Sequence, residues 1–68
     1  MKLSARNQLR GTVRAINRGA AIANVELDVA GQRVVASITV EAVDSLQLQK
    51  GDEVTAVIKA SDVMIGKG

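Results

Sequence analysis

The sequence predicts an all-β fold: a small five-stranded Greek-key barrel of the OB-like kind with one short helical turn, assembling as an oligomer. Apolar residues make up 47% of the chain, yet none of them is aromatic. Many are β-branched, which favours strands over helices. They alternate with polar residues in segments that glycines separate, and this is the pattern of strands joined by turns.

The small size of the chain predicts the oligomer. A chain of 68 residues forms one domain, residues 1–68, and buries a smaller share of its surface than an average domain does. Since it contains no Cys and no His, neither disulfides nor a structural zinc ion can stabilise it. Several predicted strands also carry apolar residues on both faces, whereas a barrel has only one interior. We therefore expect a second subunit to cover the outer apolar set.

The first two strands are predicted from alternation on either side of a glycine. Strand one is predicted over Gln8–Asn17. Val13 and Ala15 are expected on one face of it and Ile16 on the opposite face. Gly19 then provides a turn or a bulge. Strand two has the most regular alternation, and one of its faces is predicted to consist of Ala21, Ala23, Val25, Leu27 and Val29.

A hairpin and a helical turn are predicted next. The residues around Gly31 can close the hairpin because glycine accepts a positive φ, and strand three follows over 33–39. Thr39 is expected to cap a helical turn, with Glu41 placed where an acid suits the positive helix end. The apolar face of this turn is predicted to be Val40, Val43 and Leu46.

Two further strands complete the predicted barrel. Gly51 ends the helical segment, strand four follows over 53–60, and a short fifth strand is predicted over 63–65. Because Lys59 lies on the opposite strand face from Ile58, we expect its side chain to point out of the barrel.

The residue types exclude most catalytic chemistry. Without His or Cys there is no imidazole base, thiolate nucleophile or soft metal ligand. The glycine spacing matches no phosphate-binding loop. We predict no enzyme, no catalytic residues and no bare metal cation. The chain does supply hydrogen-bond donors, which suit a doubly charged oxyanion because such an anion only accepts. These candidate donors are Ser4, Arg6, Asn7, Ser37, Thr39, Lys59 and Ser61.

Charge and hydropathy bear on partners and location. Nine basic and seven acidic residues are mixed along the chain and leave a net charge of +2. This differs from the basic patch of nucleic-acid binders, and single-strand binding also needs aromatic side chains for stacking. No continuous apolar run follows the first residues, so we expect no secretory signal, and no segment approaches the roughly 20 apolar residues of a membrane helix. We expect a cytoplasmic protein that binds neither nucleic acid nor membrane.

Two motifs, one near each end, resemble those of a known family. The stretch LSARNQLRGTV at residues 3–13 closely resembles the opening of the molbindins. These are single-Mop-domain proteins within the TOBE group, the molybdenum-pterin-binding protein family. The stretch TAVIKASDVMI at residues 55–65 is similar to the closing motif of the same family. The resemblance covers essentially the whole chain.

The resemblance implies an OB-like barrel that assembles as a homohexamer, a trimer of dimers, with molybdate or tungstate bound between subunits. Its implied role is storage, buffering or homeostasis of intracellular molybdenum. By position, the residues implied to contact the anion are Ser4, Arg6, Lys59 and Ser61, with Asn7 as a further candidate. The resemblance also implies backbone donors from Gly19, Ala20 and Ala21 of a neighbouring chain, and sites near a threefold axis that use Ser37 or Thr39.

Two alternative interpretations stand beside this one. The first is an OB-type binder of single-stranded nucleic acid, which would show a salt-dependent shift of a labelled oligonucleotide. The second is a structural or regulatory module of the kind fused to transporter ATPases or transcription regulators. The sequence does not decide between molybdate and tungstate, between storage and delivery, or whether the chain was cut from a larger protein.

Overall fold

A computed structural model describes residues 4–68 of the chain, and its elements follow the alternation of the sequence. The elements are β1 (Asn7–Arg18), β2 (Ile22–Val29), β3 (Gln32–Thr39), α1 (Val40–Ser45), β4 (Glu53–Ile58) and a 3-10 turn (Ala60–Asp62). No helix within residues 4–68 is long and apolar enough to cross a bilayer.

The four strands form one antiparallel sheet in the order β3-β2-β1-β4. Hairpin connections join β1 to β2 and β2 to β3, and β4 returns to lie beside β1, which is the Greek-key arrangement. The predicted all-β Greek-key class is therefore confirmed. The long strand β1 joins both halves of the sheet, since Thr12 pairs with Asp28 of β2 and with Glu53 of β4.

The predicted faces of β1 are wrong beyond Val13, because the strand contains a β-bulge. Val13 lies opposite Leu27 and Ala15 lies opposite Glu26, so the register shifts by one residue between them. The extra residue reverses the alternation beyond the bulge. As a result Ile16, and not Ala15, joins Val13 on the inner side and packs against the core.

The core is small and aliphatic. Its fully buried members are Val13, Ala23, Val25, Leu27 and Val43. The predicted shared face of β2 is thus confirmed for its three central positions, and it is the face that points inward. Thr39 caps α1 as predicted, because its hydroxyl oxygen accepts a hydrogen bond from the backbone N–H of Ala42 at 3.0 Å.

The predicted apolar face of the helical turn is wrong at its last position. Val43 is fully buried, whereas Leu46 is 66% exposed. The helix ends at Ser45, and the chain then reverses through Gln47 at φ 53°. This reversal turns Leu46 outward and brings Leu48 against the core instead.

The predicted fifth strand does not form in this chain. Residues 63–65 belong to no strand of the sheet although Val63 has an extended backbone, and Met64 and Ile65 are about nine-tenths exposed. A strand exists only where a neighbouring strand accepts and donates its backbone hydrogen bonds. β4 also ends two residues earlier than predicted, at Ile58, because Ala60 already belongs to the 3-10 turn.

Candidate functional site

One set of predicted donors lies where the start of β1 meets the end of β4. Asn7, the first residue of β1, pairs with Ile58, the last residue of β4. Because the strands are antiparallel, the residues before β1 and those after β4 leave the sheet at the same end. We call these residues the strand-end group: Ser4, Arg6, Asn7, Lys59 and Ser61. All of them are exposed except Asn7, which is half-buried.

The second set lies around the turn between β1 and β2. Thr39 at the end of β3 pairs with Ile22 at the start of β2. The backbone N–H of Val40 donates to the carbonyl of Ala21 at 2.8 Å, so the turn contacts the start of α1. We call Gly19, Ala20, Ala21 and Thr39 the turn group.

The two groups lie at opposite ends of β1. Asn7 begins this 12-residue strand and Arg18, directly before the turn, ends it. A strand rises about 3.3 Å per residue, so the two ends are on the order of 30 Å apart. One chain therefore does not bring the strand-end group and the turn group together.

The pattern of ion pairs leaves positive charge at the strand-end group. Four arginines elsewhere face a carboxylate, in the pairs Arg10–Glu53, Arg14–Asp28, Arg18–Asp44 and Arg33–Glu26. Within residues 4–68, Arg6 and Lys59 form no such ion pair. Their charges are thus not neutralised by a neighbouring acid in the described chain, and an anion can approach them.

The turn contains backbone N–H groups that are not used within the described chain. The N–H of Gly19 is already used, since it donates to the carbonyl of Ile22 at 2.8 Å. Across the described part of the chain, no acceptor lies in hydrogen-bonding position for the N–H of Ala20 or Ala21, and both residues are exposed. Gly19 makes this turn possible, because a Cβ there would lie 2.8 Å from the same Ile22 carbonyl oxygen. Two adjacent N–H groups held in this way can donate to one anion.

The two hydroxyls of β3 differ in what they can offer an anion. Ser37 donates its hydroxyl hydrogen to Oδ1 of Asn24 across the strand pair, at 2.6 Å. Thr39 uses its oxygen as an acceptor for the Ala42 N–H, so its hydroxyl hydrogen is still able to donate. Of the two, Thr39 is the better placed donor. Sequence reasoning did not foresee the role of Asn24, although a polar amide within a regular strand is the signal that could have indicated a partner.

Family comparison gives one matching domain family and close relatives along almost the whole chain. The TOBE domain matches residues 3–65. "Molybdenum-pterin-binding protein 3" of Clostridium pasteurianum is 46% identical over 66 residues, which cover 96% of this chain and 97% of that protein.

Solved structures agree with the sequence comparison. A molybdate-binding protein from Sporomusa ovata superimposes with a TM-score of 0.95 at 42% identity, covering 98% of this chain and 100% of that one. The cytoplasmic molybdate-binding protein ModG, solved with molybdate bound, gives a TM-score of 0.85 at 48% identity; the match covers 88% of this chain and 43% of the ModG chain. The OB-like fold predicted from the sequence is thereby confirmed.

Proposed function

Since the chain belongs to the molbindins of the TOBE domain family, we propose that it binds molybdate or tungstate as the free oxyanion. The observation that carries this proposal is the strand-end group, where Arg6 and Lys59 lie beside the paired residues Asn7 and Ile58 without forming an ion pair in the described chain. A dianion placed there gains charge-assisted hydrogen bonds, which are about twice as strong as neutral ones. Ser4 and Ser61 add hydroxyl donors.

The ligand we propose is the bare oxyanion, not a metal carried on a pterin. The names of the relatives include pterin, a flat aromatic ring system. Such rings are usually held by stacking on aromatic side chains, and this sequence contains none. The candidate donors suit small tetrahedral anions, whose oxygens all accept.

We propose that each site lies between subunits and combines the strand-end group of one chain with the turn group of another. The two groups lie at opposite ends of β1 within one chain, so a site that uses donors from both groups needs two chains. The outer apolar residues Val35 and Val57 are each 44% exposed and Ile22 is 51% exposed, which suits burial against further copies. The assembly proposed is a homohexamer, a trimer of dimers.

The cellular role proposed is storage, buffering or homeostasis of molybdenum, by binding and without catalysis. Residues 1–68 would act as one Mop/TOBE-type domain, and the domain match over 3–65 supports this. A cytoplasmic location is proposed as well, in line with the description of ModG as cytoplasmic. The absence of His and Cys from the sequence agrees with a role that requires no acid–base or nucleophilic chemistry.

Two measurements test the proposal. Inductively coupled plasma mass spectrometry of the protein as purified is expected to find molybdenum or tungsten, and titration calorimetry is expected to show molybdate binding to the stripped protein. Absence of both signals would contradict the proposed function.

A complementation experiment tests whether sites are shared. The double variant Arg6→Ala/Lys59→Ala loses the strand-end charges, and Ala20→Pro loses one turn N–H because proline has none. Neither variant alone should bind molybdate well. When the two are unfolded together and refolded as a mixture, about a quarter of the sites should combine two intact groups by random assembly. A mixture that binds no better than its parents would contradict shared sites.

A further inference from the structure

We propose that Arg18 and Asp44 are positioning residues, which hold the turn group in the shape needed for anion binding by joining it to α1. This inference rests on the proposed function, since it assigns a purpose to the turn geometry. Neither residue belongs to the candidate donors, and neither is needed to contact the anion.

The first connection is an ion pair at the end of β1. Arg18 is the last residue of that strand and directly precedes Gly19. Its Nη1 lies 2.9 Å from Oδ1 of Asp44, which belongs to α1. Arg18 also pairs in register with Ala23, which is fully buried, so the arginine lies on the same face of the sheet as Ala23, the face against which Val43 of α1 packs.

The second connection lies on the other side of the same turn. The Val40 N–H donates to the Ala21 carbonyl at 2.8 Å, and Val40 is the first residue of α1. The helix itself is held in place, since Val43 is fully buried in the core. The turn is therefore joined to one fixed element both before Gly19 and after Ala20.

This arrangement matters because backbone donors cannot adjust as side chains do. A rigid pair of N–H groups distinguishes anions by size, as a smaller anion leaves one of its hydrogen bonds too long. A turn joined to the core at both ends keeps that spacing, whereas a turn free at one end would follow the ligand. Arg18 and Asp44 should consequently affect selectivity more than they affect folding.

The test compares two variants that each remove one exposed ion pair of the same length. Asp44→Asn breaks the pair with Arg18, and Glu53→Gln breaks the Arg10–Glu53 pair, also 2.9 Å long, at the far end of β4 from Lys59. Titration calorimetry measures molybdate and sulfate affinity, and the readout is their ratio. A changed net charge shifts the affinity of both dianions alike, so the ratio reports geometry.

Asp44→Asn is expected to lower the ratio of molybdate affinity to sulfate affinity roughly threefold to fivefold, which is the size of effect expected for the loss of one exposed ion pair. Amide hydrogen exchange provides a readout that needs no anion. The N–H groups of Gly19 and Val40, which are bonded across the turn, should exchange about threefold to fivefold faster in Asp44→Asn than in Glu53→Gln. The reversed pair Arg18→Asp/Asp44→Arg should restore both values.

An unchanged exchange rate at Gly19 and Val40, or an equal effect of Glu53→Gln, would overturn the positioning role. So would failure of the reversed pair to restore the ratio in a folded protein. If the wild-type protein binds neither anion, the proposed function fails, and the exchange rates still decide whether the ion pair holds the turn. Should Asp44→Asn prove unstable, Arg18→Gln breaks the same pair from its other side, with the same expectations.

Discussion

Asn7 donates a hydrogen bond from its side-chain amide to the backbone carbonyl of Ile58, at 3.2 Å, while the two residues are also opposite each other in the β1–β4 pairing. The bond is half-buried and joins residues 51 positions apart in sequence. It lies at the point where the segments carrying Arg6 and Lys59 leave the sheet. Asn7 thus holds together the two halves of the strand-end group.

We predict that Asn7→Ala lowers the free energy of unfolding by about 1 kcal/mol, the usual net contribution of one hydrogen bond, and also weakens molybdate binding. Urea denaturation and titration calorimetry measure the two effects. Gln8→Ala is the matched control, because this exposed amide makes only a 3.4 Å bond to the carbonyl of Ala5. Equal effects of the two variants would contradict a specific role for Asn7.

Lys59 should contribute to binding and not to assembly. Replacing it by Ala is expected to leave the oligomer intact and to weaken molybdate binding by roughly 1.5–3 kcal/mol, the range for a hydrogen bond to a charged group. Calorimetry on both proteins measures this. Lys50→Ala, in the exposed turn before β4, is the control and should change nothing. If Lys59→Ala leaves the affinity unchanged but the assembly dissociates, Lys59 is an interface residue.

Gly19→Ala should impair the turn group. The new Cβ would lie 2.8 Å from the Ile22 carbonyl oxygen, a backbone atom that cannot move without opening the turn. We expect loss of the Gly19-to-Ile22 hydrogen bond, destabilisation of about 1 kcal/mol or more and weaker molybdate binding. Gly66→Ala provides the control, as its added methyl group would meet no atom within 4 Å. Thermal unfolding and calorimetry measure these effects. If Gly19→Ala has the unfolding temperature and the molybdate affinity of the wild type, this view of the turn is incorrect.

A substitution at Val35, an exposed apolar residue on β3, tests the proposed oligomer directly. Val35→Asp should dissociate the assembly at micromolar concentration, since it places a charge in an apolar contact. Gln32→Asp, on the same strand but at the hairpin, should not. Size-exclusion chromatography with light scattering distinguishes the species. A stable folded monomer of the unmodified chain would remove the basis for any site shared between subunits.

The selectivity expected is similar affinity for molybdate and tungstate, weaker binding of sulfate and strong rejection of phosphate. Phosphate near pH 7 keeps a proton on at least one oxygen, and a donor facing a site of donors costs about 1–3 kcal/mol. Sulfate carries no proton but is smaller, so fixed donors reach it less well. Competition calorimetry at constant ionic strength gives the order. Phosphate binding as tight as molybdate binding would widen the ligand class to phosphorylated compounds.

Features set by local sequence were predictable, and those set by distant partners were not. The alternation of β2 and the cap at Thr39 depend on neighbouring residues, and both were predicted correctly. The bulge between Val13 and Ala15 depends on how β1 meets β2, which the alternation of β1 alone does not reveal. Residues 63–65 have the composition of a strand, but in the described chain they pair with neither edge of the sheet.

The candidate site likewise combines features that the local sequence indicates with features that depend on distant residues. Two motifs predict Ser4, Arg6, Lys59 and Ser61 as anion-binding residues, and the pairing of Asn7 with Ile58 places those motifs together. The ion pair between Arg18 and Asp44 joins residues 26 positions apart, and nothing in the sequence indicates it.

The bulge at Arg14 has a consequence for how β1 tolerates insertions and deletions. It lies between the half of the strand that pairs with β4 and carries the strand-end group, and the half that leads to the turn group. Deleting Arg14 would restore regular pairing and keep Val13 and Ile16 on the inner face, whereas deleting another residue of β1 would exchange the inner and outer faces of one half relative to the other. A single deletion in β1 should therefore be tolerated far better at Arg14 than at any other position of the strand.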